Sequence, residues 1–186
     1  DSMDFPYFVV AITGGTGSFG SALTAYLLAQ CPHVRIRVIS RGEHRQADMQ
    51  ACFPSEPRLS FLIGDVRDFQ RMRLAFRGVD LVIHSAALKR IDTAEYNPLE
   101  AVATNVHGTS KVLQAAIDTG VHQIITISSD KAVNSQTLYG NTKAVAEALT
   151  IQSNHFSGEA TRCCVVRGGN VSASQGSVIP FWQSCA

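Results

Sequence analysis

Short, continuous apolar runs alternate along this chain with longer stretches in which apolar residues recur with helical spacing. The first pattern predicts strands at 8–13, 35–40, 60–63, 81–84, 123–128 and 162–167. The second predicts helices at 18–30, 44–52, 69–76, 98–119 and 138–156. Several strands are apolar at consecutive positions, as in parallel sheets covered on both faces. Strict alternation of strand and helix then predicts an α/β fold, a doubly wound parallel sheet in a three-layer α/β/α arrangement. No repeat, low-complexity tract or polar linker interrupts it, so one domain is expected over 8–170, with 171–186 beginning a further region.

Composition narrows the reading. The chain has 186 residues, 45% of them hydrophobic, enough for a substantial core. A net charge of +1 gives no hint of nucleic acid or an acidic membrane surface. No apolar run is long enough to span a bilayer. The opening residues 1–6 lack the basic segment and small-residue cleavage motif of a signal peptide and read as a non-native extension ahead of the native start. The five cysteines (Cys31, Cys52, Cys163, Cys164, Cys185) fit neither a zinc site nor a disulfide framework. They read as reduced thiols, and the expected location is cytoplasmic. No metal constellation is expected.

The first apolar run ends in Thr13-Gly14-Gly15-Thr16-Gly17-Ser18-Phe19-Gly20, directly before a helical pattern. Glycines at this spacing allow a tight turn, close approach to a pyrophosphate and close helix–strand packing, so this is a Rossmann-type dinucleotide signature. Free N–H groups at the helix start would hold the phosphate. At the end of the second strand, where an acidic residue would read the ribose of NAD, stand Ser40, Arg41 and Arg45. Hydroxyl and guanidinium suit a 2′-phosphate, so NADP is expected, with Glu43 leaving NAD open. Asp65 and Val66 could bracket the adenine or simply form a capped turn. Ala86 and Ala87 are small enough for a cofactor to approach the backbone, while His84 reads as a satisfied core histidine.

The fifth strand ends in Ser128-Ser129-Asp130-Lys131, and Tyr139 and Lys143 follow four residues apart on a helix. Phenol and ammonium therefore share a face, and the ammonium is expected to lower the tyrosine pKa. That would make Tyr139 an acid/base group. Asp130-Lys131 sets an acid beside a base; in isolation it would be a surface ion pair.

These segments, with Gly64-Asp65-Val66-Arg67-Asp68, Ala86-Ala87-Leu88-Lys89, Ala94-Glu95-Tyr96-Asn97-Pro98 and Thr104-Asn105, resemble the extended short-chain dehydrogenase/reductases. More narrowly they resemble the inverting UDP-N-acetylglucosamine 4,6-dehydratases, which make nucleotide sugars for flagellar glycans and capsules. The resemblance runs from about Val9 to Phe181. It implies cofactor contacts from Thr13, Gly14, Thr16, Gly17, Ser18, Phe19 and Gly20, then Ser40, Arg41, Arg45, Asp65 and Val66. Ala86, Ala87, Lys89, Asn105, Tyr139 and Lys143 complete that set. It implies sugar contacts from Lys89, Asn170, Val178 and Pro180, and a homo-oligomer acting on a UDP-sugar. Three features depart from the family: Ser129 where Thr is usual, Gly168 where an aromatic is usual, and the C-terminal substrate domain, of which only the beginning is expected here.

The chemistry so implied uses Ser129, Asp130, Lys131, Tyr139 and Lys143. Tyr139, helped by Lys143, takes the C4 hydroxyl proton as hydride leaves C4. Lys131 in its neutral form removes the C5 proton, Asp130 protonates the departing C6 hydroxyl, hydride returns to C6, and C5 is reprotonated from the opposite face, with no net redox. The product is a 4-keto-6-deoxy sugar nucleotide. Two alternatives stand beside it: a UDP-sugar 4-epimerase, which needs no C5 base, and a cofactor-binding domain without turnover.

Overall fold

The computed structural model describes residues 5–169. Six strands form one sheet: β1 (Val9–Thr13), β2 (Arg35–Ser40), β3 (Leu59–Ile63), β4 (Leu81–His84), β5 (Gln123–Ser129) and β6 (Arg162–Gly168). Their order is β3-β2-β1-β4-β5-β6, and every pairing is parallel. The expected doubly wound sheet is thus the fold the chain adopts. Chain direction across the sheet reverses between β1 and β4, which opens a crevice at the carboxyl ends of those two strands.

Side-chain alternation explains the two covered faces. Val10 and Ile12 of β1, Ile36 and Val38 of β2, and Leu81 and Ile83 of β4 pack in one cluster with Leu27 and Met49. The intervening Ala11, Ile39 and Val82 pack on the other face with Met72, Phe76, Val112 and Leu113. The period of two along each strand puts consecutive apolar residues in opposite cores, which is why these strands read as unbroken apolar runs.

The helices are α1 (Ser18–Gln30), α2 (Glu43–Ala51), α3 (Phe69–Ala75), α4 (Ile91–Tyr96), α5 (Pro98–Val102), α6 (Thr109–Asp118) and α7 (Leu138–Gln152). Three features differ from the sequence expectation. The helix expected over 98–119 is interrupted by a widened π-type turn, Ala103–Gly108. There the Thr109 hydroxyl takes the Asn105 carbonyl at 2.6 Å, and Asn105 itself is buried. The helix expected to run to 156 ends at Gln152 in a tight turn, Ser153–His155. The short α4 was not anticipated; its surface is mostly polar and it stops at Asn97, held out of the helical region by the following Pro98.

Phe76 is fully buried at the end of α3. Phe76→Ala should lower unfolding free energy by about 3–5 kcal/mol, read as a reduced urea midpoint at unchanged slope.

Candidate active site

A cleft of about 760 Å³ opens at the crevice between β1 and β4. Its floor is the β1–α1 turn. Gly14 has φ +68°, and a Cβ there would lie 2.8 Å from both the Cα and the amide nitrogen of Ala86. Only glycine permits this approach of two strand ends. Gly17 caps α1 without a side-chain bond, and the first turn has no acidic residue, so the positive end of a 13-residue helix faces the cleft. A close backbone cradle beside an open helix start fits a dinucleotide pyrophosphate.

Gly14, Thr16, Gly17, Ser18, Phe19 and Gly20 line the cleft at one side. Ser40, Arg41 and Arg45 line it at the end of β2, with both arginines exposed. Gln46 braces this corner: its amide nitrogen donates to Ser40 Oγ (3.0 Å), the Ser40 carbonyl (3.2 Å) and the Leu62 carbonyl (2.9 Å). Because Ser40 Oγ accepts there, its own proton can point into the cleft. Asp65, Val66, Ala86, Ala87 and Lys89 complete the wall. The Asp65 carboxylate is already engaged by Arg67, with Nη2 at 2.7 Å and Nε at 3.0 Å. Burial pushes the Asp65 carboxyl up, but its hydrogen bonds from Arg67 outweigh that and hold it below the usual carboxylate range. Helix α3 is capped by Asp68, not Asp65.

Thr13 and Asn105 are buried and bonded within the protein. Thr13 Oγ1 lies 2.7 Å from His84 Nδ1, and His84 Nε2 lies 2.9 Å from Thr109 Oγ1. Thr109 donates its own proton to the Asn105 carbonyl, so it accepts from Nε2–H, and His84 Nδ1 accepts from Thr13. The Asn105 side chain holds Leu88 through both N–H (2.8 Å) and C=O (3.0 Å), and donates to Thr142 of α7 at 3.0 Å. This chain of bonds joins the ends of β1 and β4 to α7. Burial, reinforced by the Lys143 charge, pushes the His84 pKa down to about 3.

The second group of polar residues lies at the end of β5. Ser129 Oγ donates to Asp130 Oδ1 at 2.9 Å, and Lys131 Nζ lies 3.2 Å from the same oxygen. The tight turn Asp130–Ala132 packs under the start of α7. Gly140 makes this contact possible, since a Cβ there would meet the Lys131 carbonyl at 2.2 Å. Tyr139 is thereby set beside Ser129 and Asp130. Its pKa is not lowered, contrary to the expectation from the Tyr139–Lys143 spacing. Burial of the phenol raises it, a hydrogen bond with Ser129 opposes this, and the Asp130 charge raises it further. The Lys143 ammonium donates instead to the Ile127 carbonyl at 2.7 Å. Its own pKa falls to about 8 through burial, opposed by the Glu147 carboxylate.

Over residues 10–185 the sequence matches the family described as "Polysaccharide biosynthesis protein". The chain belongs to that family. It is similar to the inverting UDP-N-acetylglucosamine 4,6-dehydratase of Campylobacter jejuni (serotype O:23/36, strain 81-176), 45% identical over 94% of this chain and 52% of the relative. It is similarly close to the UDP-glucose 4-epimerase of Rickettsia akari, 46% identical over 92% of this chain and 51% of the relative. Among solved structures, the dTDP-glucose 4,6-dehydratase DesIV of Streptomyces venezuelae with NAD and TYD bound superposes with a TM-score of 0.84. The two are 26% identical, with 95% of this chain and 61% of that chain covered. The chain spans about half the length of the curated relatives it matches.

For this member of the polysaccharide biosynthesis family, Asn170, Val178 and Pro180 lie outside the described residues. Lys89 is exposed at the cleft wall. Thr109, Thr142, Gln46 and Glu147 escaped the sequence reading, although Glu147 repeats the four-residue spacing of Tyr139 and Lys143; Arg167 falls in the segment 165–171 that resembles the family's substrate-binding entry, but its pairing with Glu147 was not foreseen. No group of His, Cys, Asp and Glu among the described residues could hold a metal ion, and no helix among them is long and apolar enough to cross a membrane.

The His84 shift gives a stability prediction with a definite sign. A pKa lowered from 6.5 to about 3 means that the unfolded chain binds the proton first, so the stabilisation is complete above about pH 6.5 and is lost as pH falls toward 3. Melting temperature should therefore decline across that window. In His84→Gln, which cannot titrate, thermal melts from pH 7 to pH 4 should show a shallower decline; an unchanged slope would assign the acid sensitivity to other groups.

Proposed function

We propose that the protein is a nucleotide-sugar 4,6-dehydratase acting on UDP-N-acetylglucosamine with NADP. The observation that carries this is the Asp130–Lys131 pair, bonded through Ser129 to the Tyr139 corner at the end of β5, the strand next to the β4 end that borders the dinucleotide cleft, although none of these residues lines that cleft. Similarity to the Campylobacter dehydratase supports the substrate class. The same reading carries the homo-oligomer, and with it the cytoplasmic location expected from the reduced thiols.

The bound nicotinamide would supply the hydride acceptor for C4, the donor for C6 and, when oxidised, a positive charge that favours phenolate at Tyr139. Tyr139 takes the C4 hydroxyl proton, and Ser129 hydrogen-bonds the phenol oxygen. The C4 ketone acidifies C5–H; Lys131, neutral once its own proton has passed to Asp130, removes that proton, and C5 regains a proton from the opposite face as C6 is reduced. Asp130 delivers a proton to the departing C6 oxygen. Without a sugar, Asp130 is exposed and held ionised by Ser129 and Lys131. A sugar seated over it removes water and pushes the carboxyl up, the direction an acid requires.

NADP is favoured by Ser40, Arg41 and Arg45 at the end of β2. Calorimetry should show NADP binding more tightly than NAD, and Arg41→Ala should weaken NADP roughly tenfold, the worth of one charge-assisted contact, while sparing NAD. Equal affinities in the unmodified protein would reject this preference.

The similarity to the Rickettsia epimerase favours a second reading, hydride return to C4. Incubating the full-length protein with UDP-N-acetylglucosamine separates the two. A 4-keto-6-deoxy product supports dehydration, an isomeric acetylhexosamine supports epimerisation, and cofactor binding without product rejects both. Lys131→Ala should bind cofactor normally but lose deuterium exchange at C5; exchange at the unmodified rate would make another residue the base.

A further inference from the structure

Lys143 is a buried cation whose direct partner is a neutral carbonyl, Ile127 O at 2.7 Å. One carbonyl does not offset the desolvation of an ammonium. The other groups around it are few. From α7 itself come Tyr139 and Glu147, one turn to either side. From β4 comes His84, whose proton affinity the Lys143 charge depresses. Ser129 and Asp130 lie at the end of β5, beside Tyr139. From β6 comes Arg167, level with Ser128 across the β5–β6 pairing.

Glu147 is the carboxylate in this group that supports the ammonium. Its side chain is 8% exposed, and both oxygens are gripped by Arg167, Nε at 2.8 Å and Nη2 at 2.6 Å. Arg167 is 54% exposed, so its far side meets water. The charges therefore run in sequence from Lys143 to Glu147 to Arg167, across α7 and onto β6. Arg167 competes with Lys143 for the field of one carboxylate. Two residues beyond Gly168 the chain reaches Asn170, assigned above to the sugar by family resemblance.

We propose that Glu147 and Arg167 act together as positioning residues for Lys143: the carboxylate holds the buried ammonium in its charged form, and the guanidinium sets how much of that carboxylate's field the ammonium feels. The proposal rests on the reading of Tyr139 and Lys143 as an acid–base pair. It deepens that reading by assigning the control of Lys143 to two residues outside the reacting group.

The two partners must act in opposite directions, which a merely structural ion pair would not do. Removing the carboxylate withdraws support from the ammonium and leaves Arg167 as an added repulsion. Removing the guanidinium frees the carboxylate for Lys143. The test is an NMR titration of the lysine side chains in this chain, with no cofactor or sugar present and the Lys143 signal identified by its loss in Lys143→Arg. Glu147→Gln, nearly isosteric, should lower the Lys143 midpoint by about one pH unit, within the range of a lost neighbouring charge. Arg167→Gln should raise it, and Arg167→Lys, which keeps the charge, should restore it toward the unmodified value. If Arg167→Gln does not fold, Arg167→Met serves as the second charge-removing variant. A Lys143 midpoint unmoved by Glu147→Gln, or shifts of the same sign in both charge-removing variants, would overturn the proposal even if melting temperatures change. Because no sugar enters the titration, a failure of the dehydratase reading appears separately, as absence of keto product from the unmodified full-length protein.

Discussion

The site depends on how closely the ends of β1 and β4 approach. These strands pair in parallel where the sheet reverses direction, and their exits must diverge to leave a crevice. Gly14 meets the Ala86 backbone at a distance no side chain could share. The neutral ring of His84 bridges Thr13 to Thr109 just beneath that contact. An imidazole serves here because it accepts at one nitrogen and donates at the other, satisfying two buried hydroxyls without bringing a charge into the core.

From this joint the order propagates outward. The widened turn Ala103–Gly108 contains Asn105, whose side chain satisfies both backbone groups of Leu88 and the hydroxyl of Thr142. The cleft wall is thereby tied to the helix that carries Tyr139 and Lys143. A buried amide in this position makes nearly all the bonds it can, so the cleft wall and the helix bearing Tyr139 are held by one network. Asn105 acts on the cleft through Leu88.

The electrostatics of α7 follow from burial more than from pairing. Tyr139 and Lys143 are both pushed toward their neutral forms, and the nearest formal charges, Asp130 and Glu147, each favour the protonated state of the residue beside them. The resting site thus holds a phenol beside an ammonium. In the proposed reaction, phenolate at Tyr139 therefore depends on positive charge brought in from the cleft.

The sequence by itself determined the sheet and its two covers, because consecutive apolar residues with a period of two can be satisfied only between two cores. The glycine turn was legible for a local reason: strand, glycines and helix follow one another without a break. So were Ser40, Arg41 and Arg45, whose place follows from the end of β2, and the adjacency of Ser129, Asp130 and Lys131. Tertiary structure decided what depends on approach between distant segments. It buried Thr13 and Asn105 and turned Lys143 toward Ile127. It also broke the helix over 98–119 to bring Asn105 to Leu88, and it paired Glu147 with an arginine twenty residues away. Spacing along a helix shows which residues share a face, but burial and the charges of other elements set their protonation, and those exist only once the strands have come together.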